Sequence, residues 1–225
     1  MRRRKFIKVV ASSTLPFFTG CASRRVDHWH VFLRSERIQT PEQEREVLDK
    51  ARLDWTKDGR VRVLFAEGTP YERGYQHGAL LRDEVRDNLG FLYKSALKQF
   101  HSAEFFAEAY ERFRPYLSDE YVEEMHGLAH GSRLPIEMIH HIHALPSISE
   151  WGGRKRMKKV IKKMMAGALG TSCSNFSLSP QSTSDGQFYS VRILDWGLHR
   201  ISKLHEYPLI AVSIPDKGVP SANIG

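Results

Sequence analysis

The segment TSCSNFSLSPQSTSDGQFYSVRILDW, residues 171–196, has the pattern of two β-strands joined by a turn. Phe176 and Leu178 alternate with serines, as expected for a strand with one apolar face. The Asp-Gly pair at 185–186 is typical of a hairpin turn, and the apolar run after it predicts the return strand. A third strand is predicted over residues 207–215, so we expect an antiparallel β region in this part of the chain.

The chain before this segment has the pattern of helices. Thr69 can cap a helix that begins at Pro70, and Glu72 completes a capping box. Apolar or small residues then recur every three or four positions, which predicts one long helix with a single buried stripe. The stripe consists of Tyr71, Tyr75, Gly78, Leu81, Val85, Leu89, Leu92 and Ala96.

Other elements are predicted on both sides of this helix. Thr40, Pro41 and Gln43 repeat the capping arrangement, and residues 60–68 alternate as in a strand. Further helices are predicted at about residues 103–114, 118–130 and 135–145, with Ser102 and Ser118 as N-caps and Gly131 as a stop. The expected fold class is therefore α+β, with a helical part that precedes the β region and a boundary near residue 172.

Positive charge is concentrated at the N-terminus. The formal net charge is +8, but residues 1–20 carry five basic and no acidic side chains, and removing them leaves +3. This distribution does not indicate a nucleic-acid partner. The segment RRKFIK (3–8) resembles a twin-arginine export motif, and FTGC (18–21) resembles a lipoprotein cleavage box. We therefore expect an exported protein, either periplasmic or anchored to a membrane by a lipid on Cys21.

Only two cysteines are present, Cys21 and Cys173. If Cys21 is lipidated, Cys173 has no disulfide partner, which suggests a function for its thiol; a buried, inert cysteine is the alternative. Asn175 could donate a hydrogen bond near the thiol or serve a strand edge. Arg192 and Asp195 could form a surface ion pair or join the site. In a regular strand they face opposite ways, so a joint role requires a bend or the strand's end at Asp195.

Three segments together resemble the peptidase C45 family, the autoproteolytic acyltransferases and hydrolases grouped with isopenicillin N acyltransferase. They are GTPYERGYQHGALL (68–81), HGLAHGSRLPIEMI (126–139) and the hairpin of residues 171–196. The resemblance covers roughly residues 60–225 and implies a helical pro-segment followed by an N-terminal-nucleophile (Ntn) hydrolase α/β/β/α sandwich. Val191 and Ile193 depart from the glycine and asparagine that the family more often has there.

The resemblance also implies a chemistry. The precursor would cleave itself between Ser172 and Cys173, after which the Cys173 thiol is the nucleophile and its freed α-amine the base. The reference pKa values of these groups, about 8.5 and about 8, are closely matched. Asp195 would hold the new ammonium or orient the thiol, and Arg192 would favour the thiolate or hold a substrate carboxylate. The partners would be a small-molecule acyl donor, carboxamide or thioester, and water or an amine as acceptor. No cofactor or metal is implied.

Histidines offer a further set of candidate ligands. His140, His141 and His143 lie close together in the sequence, but their spacing alone does not provide a tetrahedral metal site. Histidines on a helix face are the preferred interpretation. His77 lies within the first family-like segment. We prefer to interpret it as a packing or polar-core residue rather than as a catalytic one.

Four regions are expected along the chain: a signal peptide over 1–20, a linker and helix over 21–59, the helical pro-segment over 60–172, and the beginning of the Ntn β-domain over 173–225. The last region has 53 residues, counted from Cys173 to Gly225, which is fewer than the sandwich requires. We therefore expect a fragment or truncated product that lacks later strands and their oxyanion donors. The alternatives are a related amidase of the ceramidase, penicillin or bile-salt type, and a non-catalytic, membrane-attached lipoprotein.

Overall fold

The computed structural model describes residues 38–100, 102–150, 171–196 and 203–224. In these ranges, five consecutive helices lie between a first pair of strands and four later strands, and this segregation confirms the α+β class. All of them belong to one unit, Thr40–Gly225; of the preceding unit, Met1–Gln39, only residues 38 and 39 are described. The helices are α1 (Pro41–Asp49), α2 (Pro70–Leu80), α3 (Arg82–Phe100), α4 (Ala103–Phe113), α5 (Asp119–Ser132) and α6 (Ile136–Glu150). The strands are β1 (Arg52–Trp55), β2 (Arg62–Gly68), β3 (Thr171–Leu178), β4 (Tyr189–Trp196), β5 (Leu209–Pro215) and β6 (Ser221–Ile224).

Four strands form a sheet in the order β1-β2-β5-β6, and β3 and β4 form a separate two-stranded sheet. β5 lies parallel to β2, from Arg62 opposite Leu209 to Gly68 opposite Pro215. The predicted third strand is confirmed, but its expected place in a separate antiparallel region is wrong. Parallel strands need a long crossover connection, and the helices α2 to α6 lie in the chain between β2 and β5.

The long helix predicted from residue 70 is in fact two helices. α2 ends at Leu80, the backbone angles of the next residue, Leu81 (φ −116°, ψ 32°), are not helical, and α3 begins at Arg82. The predicted stripe is buried or half-buried on both sides of this break. The break allows α2 to pack on α5 and β2, while α3 packs against α6. The capping boxes predicted at Thr40 and Thr69 are both present.

Glycines bring the backbones of α2 and α5 into direct contact. A Cβ atom on Gly74 would lie 2.0 Å from the carbonyl oxygen of Glu124, and one on Gly127 would lie 2.0 Å from that of Tyr71. Both distances are far below an ordinary contact, so neither position has room for a side chain without movement of the helices. Together with Gly78 and Gly131, these residues form what we call the glycine contact.

The role predicted for Gly131 is wrong. α5 continues past this residue to Ser132 and ends at Arg133, which adopts a left-handed conformation with φ 58°. A Cβ atom on Gly131 would lie 2.2 Å from the carbonyl oxygen of Tyr75. This glycine therefore serves the close approach of two helices rather than the end of one.

The core has two hydrophobic clusters in the described residues. One lies between the sheet and α3, where Leu64 and Ala66 of β2 pack against Leu81 and Val85. The other joins α3, α4, α5 and α6; its buried members are Ala96, Phe106, Ala109, Tyr110, Met125, Ala129, Ile139 and Ala144. The helical part thus packs around its own cluster and also covers one face of the four-stranded sheet.

A buried amide connects α1, β2 and α2. The Gln76 side chain is fully buried, and its Nε2 donates to the carbonyl oxygens of Val47 (2.9 Å) and Glu67 (2.8 Å). Its Oε1 accepts from the Glu67 N–H at 2.8 Å. Because each polar atom of this amide is satisfied, Gln76 fixes the distance between these elements at little desolvation cost.

Candidate functional site

The hairpin of β3 and β4 forms as predicted, but residues 179–188, with a 3-10 turn at Pro180–Ser182, connect the strands instead of a tight Asp-Gly turn. The pairing is antiparallel, with Thr171 opposite Trp196 and Leu178 opposite Tyr189. Alternate strand residues face opposite sides, and directly opposed residues share a side, so the register defines two faces. The face with Cys173 also carries Thr171, Asn175, Ser177, Ser190, Arg192, Leu194 and Trp196. The face with Phe176 also carries Ser172, Ser174, Leu178, Tyr189, Val191, Ile193 and Asp195. We call these the Cys173 face and the Phe176 face.

Three of the predicted site residues share the Cys173 face. Asn175 lies directly opposite Arg192, and Cys173 lies opposite Leu194, two positions further along β4. Diagonal neighbours on one face of a sheet are about 7–8 Å apart, which is within reach of a long side chain. Asn175 and Arg192 are exposed, so this face presents an amide and a guanidinium group to solvent beside the cysteine position.

Asp195 lies on the other face. β4 does not end at Asp195 but continues to Trp196, and Asp195 pairs with Ser172. This register places Asp195 beside the peptide bond between Ser172 and Cys173, with the cysteine itself assigned to the opposite face. The peptide groups of a sheet lie in the plane between its two faces. Position 195 is therefore opposite Ser172, one residue before Cys173 along β3.

The Cys173 face contains a polar pair that the sequence analysis did not single out. Ser177 Oγ donates to Ser190 Oγ across the strands at 3.1 Å, and both residues are exposed. A tight turn at Asp185-Gly186 would set Ser177 opposite Leu194, so the pair could not be found from the sequence; the connection over residues 179–188 sets the observed register. The face is therefore polar from Asn175 and Arg192 as far as this serine pair.

Apolar side chains are exposed on the Phe176 face. The exposed fraction is 52% for Phe176 and 50% for Ile193, and Leu178, Tyr189 and Val191 are also exposed. The four-stranded sheet likewise has an apolar face directed away from the helical cluster. Its apolar members are Val63 and Phe65 of β2 and Ile210, Val212 and Ile214 of β5, all half-buried, and the exposed Arg52, Asp54 and Glu67 lie at its margins on the same face. Each of the two sheets thus has one face of the kind that packs in a protein interior.

The histidines of α6 contact aromatic rings and backbone. His140 stacks on Tyr110, and His141 Nδ1 hydrogen bonds with the hydroxyl of Tyr93 at 3.0 Å. His143 Nδ1 donates to the carbonyl oxygen of Ile139 at 2.8 Å. Within residues 38–100, 102–150, 171–196 and 203–224, no group of three His, Cys, Asp or Glu residues is arranged to hold a metal ion. These contacts are those of histidines that pack a helix.

His77 lies in α2, and its side chain is desolvated. Burial lowers the pKa of His77 to about 4, so the ring is neutral at physiological pH. A neutral, half-buried imidazole is consistent with the packing or polar-core role expected from the sequence.

The predicted signal peptide of residues 1–20 and the lipidation candidate Cys21 lie outside the described residues. In the part of the chain that is described, none of the helices is both long and apolar enough to cross a membrane. The prediction of export and lipid attachment therefore stays a prediction.

Comparisons with known proteins found one weak similarity. No family model matches the chain, and no solved structure matches it. Protein dcd1B from Dictyostelium discoideum is 24% identical over 184 residues, covering 70% of this chain and 32% of the relative. The chain therefore spans about a third of the length of this relative. At this identity, the comparison does not assign the chain to a family.

Proposed function

We propose that this chain is part of an autoproteolytic cysteine acyltransferase or amidohydrolase of the peptidase C45 type. Cys173 would attack the carbonyl of a small-molecule carboxamide or thioester and form an acyl-cysteine thioester. The acyl group would then pass to water or to an amine. The observation that carries this proposal is the hairpin register, which groups Cys173, Asn175 and Arg192 on one face.

Processing must come first, because the α-amine of Cys173 is bound in a peptide until the chain is cut. The Cys173 thiol adds to the carbonyl carbon of Ser172, and the C–N bond breaks as the departing nitrogen takes up a proton. The product is a thioester between Ser172 and Cys173. Water hydrolyses this thioester and leaves a carboxylate on Ser172 and a free thiol and amine on Cys173. The nucleophile and its base then belong to one residue.

The neighbours of Cys173 would have the roles that the family resemblance implies, and the register supports these roles. Arg192, a diagonal neighbour on the same face, favours the thiolate by its positive charge or binds a carboxylate of the substrate. Asp195, which pairs with Ser172, would hold the new α-ammonium or orient the thiol. Asn175, directly opposite Arg192, supplies amide hydrogen bonds beside the thiol.

The two apolar sheet faces support a sandwich as the complete fold. A sheet face with Phe176, Val191 and Ile193 is unfavourable in water, and stacking against a second apolar sheet buries such side chains. We propose that helices, two stacked sheets and further helices form the four layers of an Ntn hydrolase. The greater length of the Dictyostelium relative is consistent with this proposal.

Export and membrane attachment are part of the same proposal. The basic, twin-arginine-like N-terminus would direct the protein out of the cytoplasm, and a lipid on Cys21 would keep it at the membrane. Neither feature is needed for the chemistry at Cys173. The localisation can therefore fail while the proposed activity holds.

The decisive experiment is intact-mass and N-terminal sequencing of the full gene product. We expect two pieces, of which the second begins Cys-Ser-Asn-Phe. Cys173→Ala should yield one uncut chain, while the matched control Ser174→Ala, on the neighbouring residue, should still be cut. An uncut wild-type product with an unreactive thiol would overturn the proposal and favour the non-catalytic lipoprotein. Cutting with turnover restricted to ceramide, penicillin or bile-salt amides would favour the related amidases.

A further inference from the structure

A stack of aromatic rings joins three helices of the helical cluster. The rings of Tyr110 in α4 and His140 in α6 are parallel within 7°, with centroids 4.0 Å apart. His126 of α5 stands edge-on to His140, with centroids 5.7 Å apart and planes at 86°. Tyr110 is buried in the same cluster as Phe106 and Ile139. We call Tyr110, His126 and His140 the histidine stack.

Two polar atoms of the histidine stack are buried without a hydrogen-bond partner in the described part of the chain. They are the hydroxyl of Tyr110 and Nε2 of His140. In a neutral imidazole, an acceptor nitrogen without a hydrogen bond costs a moderate amount of folding free energy. A protonated ring would instead place an N–H donor and a share of positive charge at a buried position with no acceptor, which costs considerably more.

The groups that face His140 mostly oppose its protonation. α4 contributes Tyr110, itself near Glu111 and Arg114, and α5 contributes His126. On α6 itself, Glu137 favours a charged ring, whereas His141 and His143 oppose it. Burial first, and then His126, lower the pKa of His140 to about 4. The carboxylate of Glu137 therefore does not compensate for the hydration that the His140 ring loses on burial.

We propose that the histidine stack is an acid-sensitive element of the helical part, in which protonation of His140 loosens the packing of α6 on α4 and α5. This inference does not depend on the proposed activity of Cys173. It assigns a regulatory property, a fold that weakens in mildly acidic surroundings, to a residue that the catalytic proposal does not use.

The sign and size of the effect follow from proton linkage. The pKa of His140 in the folded chain is below the ordinary histidine value of 6.5, so the unfolded chain binds the proton more readily. The stability gained from a neutral His140 is complete above pH 6.5 and is lost as the pH falls toward 4. For pH 7.5 to pH 5, His140 alone should lower the folded-to-unfolded ratio by about 10- to 30-fold.

Urea unfolding of the full chain at pH 7.5 and pH 5 tests this inference with three variants. His140→Phe keeps a ring on Tyr110 but cannot be protonated, and His140→Gln serves if that variant does not fold. Between pH 7.5 and pH 5, the folded-to-unfolded ratio of the wild type should fall by about 10- to 30-fold more than the ratio of either variant. His205→Gln removes an exposed histidine and should show the full wild-type loss. His77 stays unchanged throughout, so its own acid sensitivity cancels in the comparison.

A titration of the wild-type histidine resonances by NMR is independent of any variant. We expect His140 to titrate well below pH 6, and a midpoint near 6.5 would overturn the inference. Equal losses, within twofold, in wild type and His140→Gln would overturn it as well.

Discussion

One added methyl group at Gly127, within the glycine contact, should destabilise the fold strongly. In Gly127→Ala the new Cβ would lie 2.0 Å from the carbonyl oxygen of Tyr71 and 2.7 Å from the amide nitrogen of Tyr75. Both are backbone atoms of α2 and cannot rotate away. Atoms in ordinary contact are about 3.5 Å apart, so the two helices would have to separate by about 1.5 Å at this point.

The size of the effect is the balance of two opposing contributions. Alanine is favoured over glycine within a helix by about 1 kcal/mol. Overpacking typically costs about 1–3 kcal/mol and occasionally more. Separation at Gly127 would also open the neighbouring contacts of Gly74, Gly78 and Gly131. The upper end of the overpacking range, less the advantage of alanine, gives an expected net loss of about 2 kcal/mol in the free energy of unfolding.

The matched control is the same substitution at Gly90 in α3, where an added Cβ would have no atom within 4 Å. Gly90→Ala should stabilise the chain by about 0.5–1 kcal/mol, because only helix propensity and unfolded-state entropy change. Urea unfolding followed by circular dichroism and fluorescence measures both variants. The reasoning would be refuted if the two variants differed by less than about 0.5 kcal/mol, the range of a neutral surface substitution.

Three further predictions concern single side chains. Gln76→Leu should lower the free energy of unfolding by about 2–4 kcal/mol in urea titrations, because it leaves backbone groups of α1 and β2 buried and unpaired. Burial and the hydrogen bond to Glu44 raise the pKa of Tyr75 to about 12, so its stabilising effect is complete below pH 10 and is lost as the pH rises through 12. Tyr75→Phe should therefore flatten the alkaline stability profile and remove the highest-pH step of the tyrosine absorbance titration. Ser177→Ala should change stability by less than about 0.5 kcal/mol, since the serine pair is exposed, and a larger loss would show that this face is covered.

Features that depend on nearby residues could be predicted without coordinates. Thr69 and Glu72 form a capping box because the two residues are three positions apart in one turn of helix. The Asp-Gly pair and the alternation of serines with apolar residues mark β3 and β4 as a hairpin, and the alternation puts Cys173, Asn175 and Ser177 on one side of β3. The residues of the candidate site could therefore be named from the sequence, while their catalytic roles came from the family resemblance.

Other features depend on residues that are distant in the chain. Arg62 pairs with Leu209 in the parallel ladder, and nothing in either segment specifies the other as its partner. The break at Leu81 lies where the apolar stripe changes from one set of neighbouring elements to another. Gly131 makes room for the backbone of α2 and does not end its own helix. Capping, turns and apolar periodicity act within about four residues along the chain. Strand partners, helix contacts and buried amides such as Gln76 are set by packing across the whole unit, and only the three-dimensional fold specifies them.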